Sequence, residues 1–388
     1  MEATDSPASS PAKREHVSQI CGSIFSKGGT IQRLPRSQEE FDDIVNATGV
    51  PHVFKLHDLT QLARLLDCRH ALLIRRPPGW GLDLFASMVS AAFDQDYNLR
   101  DDPFKVLLGE ELDSIPWNHH LHDFFVLDLD FSRLPAREDF RTEFQVYLEK
   151  KCQEMLYRYR LEKRVALPGI HEVSKDEPEE FISSLAYALQ LLFSGPLLVI
   201  IRNFDSPTTN YPDGYEVLNP FLNRLQCEVK TELIGSLLLL SSWDDGSVYS
   251  CMGRPPLSLI KRRKPGLQPL DLPYTLDLTH DPVFQTAIGI SRQEVNALDE
   301  AFGHLKPCDS THILKMMDKH GTTSVFADIL PRTHQCPPLD EDGGWLASEV
   351  DPLAELDRSR EHEGTYPAQF VMKVFALKYG LASDHGSL

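Results

Sequence analysis

The sequence lacks the features that mark several large classes of protein. Its seven cysteines are scattered and form no CxxC pair, which argues against a disulfide framework or a zinc site and indicates reduced thiols. The longest apolar runs, at 197–201 and 237–240, are far shorter than the roughly 20 residues of a membrane span. The N-terminal residues contain no apolar core of a secretory signal. We therefore expect an intracellular, cytoplasmic protein without a membrane partner.

Positive charge is also scarce. The chain has 39 Lys and Arg residues against 57 Asp and Glu, a formal net charge of −18, which argues against broad binding to a nucleic-acid backbone. The basic run Lys261–Lys264 is either a solvated loop or a nuclear-import signal. No GxSxG elbow, HExxH pair or paired Cys/His nucleophile occurs, so the sequence assigns no catalytic residue and no metal ligand.

Four short apolar runs alternate with segments of helical period, which is typical of buried parallel strands joined by helices. The spacing of apolar residues predicts a doubly wound, mostly parallel α/β sheet with helices on both faces. The predicted strands are Ala71–Arg75, Phe124–Phe131, Leu197–Asn203 and Ile234–Ser241, with an edge strand near Tyr274–Leu278. The predicted helices between them are Leu82–Phe93, Asp139–Arg160 and Pro178–Phe193, with another beginning at Asn219–Pro220.

The composition and hydrophobic pattern of the chain suggest four regions. Residues 1–48 are polar and Ser/Pro-rich and predict a mostly disordered arm before a core over 49–279. Residues 280–335 predict a small helical lid that begins with one helix over Asp281–Leu305, in which Ser291 and Glu294 have the spacing of a capping box. Residues 336–388 predict an acidic linker and a final amphipathic helix, Pro367–Leu377.

A strand, a glycine-containing turn and a helix follow one another at Ala71–Phe93. In such an arrangement backbone N–H groups and the positive end of the helix dipole converge on an anion, usually a phosphate. The turn here is Arg76-Pro-Pro-Gly-Trp-Gly81. A working phosphate loop also needs a Lys and a Ser or Thr directly after its last glycine, but those positions hold Leu82 and Asp83.

Several motifs, in order along residues 50–305, resemble those of the AAA-ATPase-like family, P-loop proteins found in bacteria and expanded in fungi. The turn is similar to the family's R-P-R-R-F-G-K-S-L and the run His52–Asp58 to its Y-V-D-K-T-x-x-I. The run Phe125–Ser132 is similar to V-I-x-L-D-F-S, and Val199–Pro207 to the Walker B motif L-I-D-E-Y-D-x-P. The residues at 277–295 resemble the family's lid motif. The resemblance implies a P-loop fold and, in intact members, ATP bound with Mg²⁺.

The resemblance also implies that the nucleotide site is degenerate here. Arg202 and Asn203 replace the Walker B Asp-Glu pair, so the second Mg²⁺ anchor and the base that orients water are missing. The Walker A lysine is missing too. We therefore expect no bound cofactor, with weakly held ATP and Mg²⁺ as the alternative. The predicted degenerate site comprises Arg76, Pro77, Gly79, Gly81, Leu82, Asp83, Arg202, Asn203 and Asp205.

Other polar groups leave alternatives open. Asp83 fits the first turn of its helix, where the dipole stabilises a carboxylate that takes the place and the N–H donors of a phosphate, or it belongs to a Mg²⁺-bridged or altered ligand site. Arg202 either reaches the surface or pairs with Asp83 or Asp205 and closes the site. The cluster from His119 to Asp130 reads as a solvated loop and a structural strand, with metal binding or a carboxylate dyad as alternatives.

The sequence favours a pseudo-ATPase that acts as a protein-interaction or regulatory module, with a protein partner of unknown identity. Two alternatives remain: a regulator that binds ATP or GTP weakly through the loop backbone, and an enzyme with an unrelated site near His119–Asp130. The segment around Glu363 faintly resembles the opening helix of the nuclease domain that many relatives append, or it is an unrelated helix that docks on the core.

Overall fold

The fold is built on a five-stranded, all-parallel sheet, seen in a computed structural model of the 388-residue chain. The structure describes residues 24–25, 35, 40–76, 81–98, 101–117, 120–134, 139–174, 177–242, 270–279, 281–284, 287–303, 365–366, 371 and 375. The nine strands of this part are β1 (Ile24–Phe25), β2 (His52–Val53), β3 (Ala71–Arg76), β4 (Phe125–Asp130), β5 (Leu197–Arg202), β6 (Ser236–Ser242), β7 (Thr275–Asp277), β8 (Ile290–Ser291) and β9 (Thr365–Tyr366).

The α-helices cover both faces of this sheet, as the alternation of strands and helices predicts. The helices of the described ranges are α1 (Phe41–Asn46), α2 (Leu56–Leu65), α3 (Leu82–Phe93), α4 (Pro103–Leu108), α5 (Phe140–Arg158), α6 (Glu180–Phe193), α7 (Ser206–Asn210), α8 (Gly214–Lys230) and α9 (Arg292–Gly303). Within this part, no helix combines the length and apolarity needed to cross a bilayer.

The order of the strands in the sheet is β4-β5-β6-β3-β7, and every neighbouring pair is parallel. The four predicted strands and the predicted edge strand near Tyr274–Leu278 are therefore confirmed. Both faces of the sheet are buried: Leu72 and Ile74 join the core under α2 and α3, while Ala71 and Leu73 join the core under α5, α6 and α8. Burial on both faces explains why the strands read as continuous apolar runs rather than as alternating ones.

The folded part begins before residue 49, so the predicted arm over 1–48 is wrong at its end. Helix α1 buries Phe41, Ile44 and Val45. Phe41 packs on Phe54 and Phe104, with ring centroids 5.9 Å and 5.4 Å apart. Strand β1 pairs antiparallel with β2. A six-residue helix with three apolar residues gives too short a periodic pattern to separate it from a loop.

Two predicted helix boundaries are also wrong. Helix α8 begins at Gly214 rather than at Asn219, and Pro220 lies inside it on the exposed side. A proline in that place removes an N–H group, and the carbonyl of Glu216 that would accept from it lies on the exposed side, where water can reach it. The predicted helix over Asp281–Leu305 is interrupted, because Gly289 has a φ of +111° and Ile290–Ser291 form β8.

For the residues that follow this interruption, the structure agrees with the prediction from the sequence. Ser291 Oγ accepts from the Glu294 N–H at 3.2 Å, and Glu294 Oε2 accepts from the Ser291 N–H at 2.7 Å, so the predicted capping box is confirmed. Strand β8 pairs antiparallel with β9. Val371 and Phe375, both on the predicted apolar stripe of the last helix, are helical and fully buried. The linker, most of the lid and Glu363 lie outside the described residues.

Candidate nucleotide site

The candidate site lies at the carboxyl ends of the central strands. Strand β3 ends at Arg76, residues 77–80 lie outside the described part, and Gly81 is the N-cap of α3 with a φ of +93°. A positive φ of this size suits glycine, which has no Cβ to clash. A parallel strand thus leads into the N-terminus of a twelve-residue helix, the arrangement in which a helix dipole meets an anion. The predicted site residues Pro77 and Gly79 lie outside the described residues.

The first two residues of α3 offer nothing to a phosphate. The side chain of Leu82 belongs to the apolar core on the α3 face of the sheet. Asp83 lies in the first turn with its side chain 60% exposed. Its carboxylate accepts from Arg202 and, among the described hydrogen bonds, not from the free N–H groups of its own helix. The anion at this helix N-terminus is therefore supplied by the protein itself.

Arg202 bridges the ends of β4 and β5 and the start of α3. Its guanidinium donates to Asp128 through Nε at 3.0 Å and Nη2 at 2.9 Å, and to Asp83 through Nη1 at 3.1 Å. The Arg202 side chain is only 11% exposed. A two-pronged contact between a guanidinium and a carboxylate fixes both groups more firmly than a single bond does. Arg202 thus ties β5 to β4 and to the start of α3.

The charges around Arg202 favour its protonated, positively charged form. Burial alone would lower the pKa of Arg202, but Asp128, Asp130 and Asp83 outweigh that effect and raise it. For the acid Asp130 burial alone would raise the pKa. The hydrogen bonds from Ser132 and Asn203 and the charge of Arg202 outweigh burial, so the pKa of Asp130 is lowered. Arg202 and Asp130 are therefore held in their charged forms. Burial dominates at Asp128, whose pKa is raised although the charge and the hydrogen bonds of Arg202 oppose that effect.

Two other residues of the predicted degenerate Walker B motif, Asn203 and Asp205, are also hydrogen-bonded within the protein. Asn203 has a φ of +52°, a conformation that asparagine tolerates better than most residues, and its amide donates to Asp130 Oδ1 at 3.0 Å. Asp205 accepts a hydrogen bond from the Ser241 hydroxyl of β6. Each of these two residues thus makes a contact that links the ends of neighbouring strands.

Arg76, the last residue of β3, is buried with its guanidinium bonded to backbone carbonyls. Its guanidinium donates to the carbonyls of Thr279 at 2.8 Å and Phe284 at 2.7 Å. Burial lowers the pKa of Arg76 to about 10, opposed by the charges of Asp277 and Asp58. The residue thus joins β3 to residues 279–284, where the core meets the predicted lid region.

A small, mostly apolar cavity lies beside Gly81. Its lining includes Val53, Leu84, Met88 and Ile290, with Lys55 at its polar end. Lys55 is buried against Glu294 of α9, with 2.7 Å from Nζ to each carboxylate oxygen. This ion pair joins the segment between β2 and α2, which precedes the sheet, to α9, which follows it. Residues of the first segment and of β8, just before α9, line this cavity.

The residues from His119 to Asp130 do not converge on one site. His119 lies outside the described residues. His120 contacts Asp67 at 2.8 Å, and His122 contacts Asp102 at 3.0 Å, while Asp128 binds Arg202. The described part of the chain holds no group of three or more His, Cys, Asp or Glu side chains placed for a metal ion.

Comparison with known proteins addresses the family directly. Residues 47–227 match the family model of AAA-ATPase-like proteins, described as "Predicted AAA-ATPase". The resemblance read from the motifs is confirmed over this segment. With its all-parallel sheet between two layers of helices, the protein has an α/β fold of the P-loop kind.

Comparisons with curated proteins and with solved structures do not indicate a function. No curated protein matches the chain. Among solved structures, the ORC2 protein of Aeropyrum pernix in its ADP form is 12% identical, with a TM-score of 0.34 over 88% of this chain and 68% of that one. A likeness of that size carries no argument about function.

The sequence alone missed two contacts that shape the site. The sequence pattern indicates Asp128 only as half of a carboxylate pair with Asp130, whereas in the structure Asp128 is the main partner of Arg202. The pairing of Lys55 with Glu294 was also missed, since 239 positions separate the two residues. The first contact depends on the register of two adjacent parallel strands, which sets Asp128 opposite Ile200, two positions before Arg202, and which the sequence pattern does not fix.

Replacing Asp83 should have a small effect on stability. We expect Asp83→Ser to lower the free energy of unfolding by about 0.5–1 kcal/mol, because it removes a favourable charge from the first turn of α3 and an exposed ion pair with Arg202. Urea unfolding of the wild type and the variant measures the difference. A loss above about 2 kcal/mol would contradict a role limited to an exposed, solvent-screened contact.

Proposed function

We propose that this protein is a pseudo-ATPase that acts as a protein-interaction or regulatory module without hydrolysing nucleotide. The observation that carries the proposal is the position of Arg202, whose guanidinium binds Asp128 and Asp83 where a working site would hold Mg²⁺ and phosphate. Fold alone does not assign a function, so the side chains of this site support the proposal.

The residues present do not fit Mg²⁺-ATP. A triphosphate near Asp83 would meet a carboxylate in place of a hydroxyl, and two like charges about 4 Å apart repel by roughly 4 kcal/mol at a surface-like dielectric. Leu82 supplies no cation to offset that repulsion, because its side chain is aliphatic and packs in the core. Arg202 would in turn repel a metal ion placed at the strand ends. We derive no catalytic step from this arrangement.

The alternative is a regulator that binds ATP or GTP weakly. The start of α3 at Gly81 and the apolar cavity beside it favour this alternative, because they are the parts of the site that need no charged side chain. A cytoplasmic location and an unidentified protein partner belong to the proposal as well. The location rests on the free thiols of Cys68, Cys152 and Cys227.

A turnover assay tests the proposal. We expect purified full-length protein to release no phosphate from ATP above a blank, because the cation, the metal anchor and the base are all replaced. Asp205→Ala is the control, since it removes the one acidic residue retained from the Walker B motif. Turnover by the wild type that Asp205→Ala abolishes would overturn the proposal.

A further inference from the structure

Strand β4 stands at one end of the described sheet, so one of its two edges has no neighbouring strand. The other edge pairs with β5 and begins with the Phe125 N–H, which donates to the Pro196 carbonyl at 3.0 Å. Because alternate residues of a strand use opposite edges, the N–H and carbonyl groups of Val126, Asp128 and Asp130 point to the edge without a strand. An uncovered edge of this kind is a template for an added segment of extended chain.

Side chains from α5 and its C-terminus cap two of these three positions. The Val126 N–H donates to the Tyr159 hydroxyl at 2.8 Å, and the Val126 carbonyl accepts from Arg158. The Asp130 N–H donates to the Tyr147 hydroxyl at 2.7 Å, and this hydroxyl in turn donates to the Asp130 carbonyl at 3.1 Å. A long strand therefore cannot add along the whole of β4.

Asp128, between the two capped positions, keeps its main-chain groups open. In the described part of the chain, no hydrogen bond uses the Asp128 N–H or carbonyl. Asp128 lines a cavity of about 390 Å³ between α5, α3 and the start of α1, a volume within the ordinary range for ligand sites. One residue of an antiparallel chain can exchange two hydrogen bonds with such a position. The caps leave room for about three residues of extended chain, at roughly 3.4 Å each.

The charges of the cavity favour a basic side chain opposite Asp128. The cations of the lining pair with acids of the chain: Arg133 with Asp130, Lys151 with Glu154, Arg158 with Asp94, and Arg202 with Asp128. The carboxylate of Glu40, which also lines the cavity, makes no described hydrogen bond or ion pair. Its charge acts on Asp128, since burial raises the pKa of Asp128 and the charges of Asp130 and Glu40 raise it further, against Arg202. Opposite charges at facing positions of neighbouring strands attract, so a lysine or arginine there offsets the Glu40 charge.

We propose that this cavity binds a short extended segment of a partner protein, with a lysine or arginine paired antiparallel to Asp128. The partner residue donates its N–H to the Asp128 carbonyl and accepts the Asp128 N–H at its own carbonyl. Its side chain lies beside Glu40 and Asp128. The inference names a partner class for the proposed interaction role and rests on that proposal. Peptide binding and ATP turnover are separate measurements, so the failure of one is distinguishable from the failure of the other.

Saturation-transfer NMR with the full-length protein and a defined probe tests the inference. The probe is the tripeptide valine-lysine-valine with both ends blocked, and we expect a dissociation constant of roughly 0.1–1 mM. Methylation of the lysine main-chain nitrogen removes the N–H that donates to Asp128 and should weaken binding at least about tenfold. Methylation of the following valine nitrogen is the matched control. Its N–H points away from β4, so the affinity should change less than about twofold.

A charge variant tests the preference for a basic side chain. At low salt, Glu40→Lys should weaken binding of the lysine probe at least about fivefold, because a cation then faces a cation. Glu180→Lys is the matched control, since Glu180 is an exposed acid of α6, on the other face of the sheet, and it should bind as the wild type does. A wild type that binds no probe at about 5 mM would overturn the inference. So would equal binding of the probe methylated at its lysine nitrogen, or an affinity that Glu40→Lys leaves unchanged.

Discussion

Lys55→Met is expected to lower the free energy of unfolding by about 3–5 kcal/mol, because it leaves the Glu294 carboxylate buried without its counter-ion. The two side chains are 6% and 7% exposed, and Lys55 Nζ lies 2.7 Å from both carboxylate oxygens. Glu294 also accepts from the Ser291 N–H, which satisfies part of its hydrogen-bonding capacity but not its charge. Guanidinium unfolding of the variant and the wild type measures the effect.

Lys150→Met provides the matched control. Lys150 pairs with Glu154 on helix α5 at 3.6 Å, with side chains 70% and 47% exposed, so its loss should cost no more than about 1 kcal/mol. The double variant Lys55→Met, Glu294→Leu should recover much of the stability that Lys55→Met loses, since it removes the unpaired charge. A loss below about 1 kcal/mol for Lys55→Met would show that water reaches Glu294.

The second large effect is a gain of function. The triple variant Leu82→Lys, Asp83→Ser, Arg202→Asp should bind Mg²⁺-ATP measurably, because it restores the cation, the hydroxyl and the metal anchor of a working phosphate loop. Removing the repulsion between Asp83 and a phosphate is worth roughly 4 kcal/mol by itself. Hydrolysis should stay low while Asn203 occupies the position of the catalytic acid.

Arg202→Asp alone is the control for the triple variant. It should fail to bind nucleotide and should be less stable than the wild type, since it places a new carboxylate beside Asp128 and Asp83. A folded triple variant that binds no nucleotide would contradict an account based on side-chain charge. The geometry of the turn around Pro78 and Trp80 would then be the cause.

The sheet could be predicted from the sequence because its strands are buried on both faces. The runs Leu197–Arg202 and Ser236–Ser242 are long enough, and rich enough in branched apolar residues, to indicate strands without any knowledge of their neighbours. The capping box at Ser291 and Glu294 is a local signal of the same kind. Local patterns of this sort do not depend on distant parts of the chain.

The contacts of the site could be predicted only in part. The pairing of Arg202 with Asp83 follows from the topology of a P-loop fold, in which the end of β5 and the start of α3 lie at the same edge of the sheet. Its stronger bond to Asp128 depends on the register between β4 and β5, which composition and period do not fix. Pro220 was misread because a proline at an exposed helix position resembles one at a helix start.

Titration calorimetry of the wild-type protein with ATP and Mg²⁺ tests the central claim most directly, with thermal unfolding in the same buffers as a second readout. The account predicts no heat of binding and no rise in melting temperature at millimolar nucleotide, because the Arg202 guanidinium is already bound to the Asp128 and Asp83 carboxylates. A ligand at about 100 times its dissociation constant would stabilise the native state by about 2.7 kcal/mol, which a melting curve detects. Saturable binding with a micromolar dissociation constant, weakened by a change at Gly81, would contradict it.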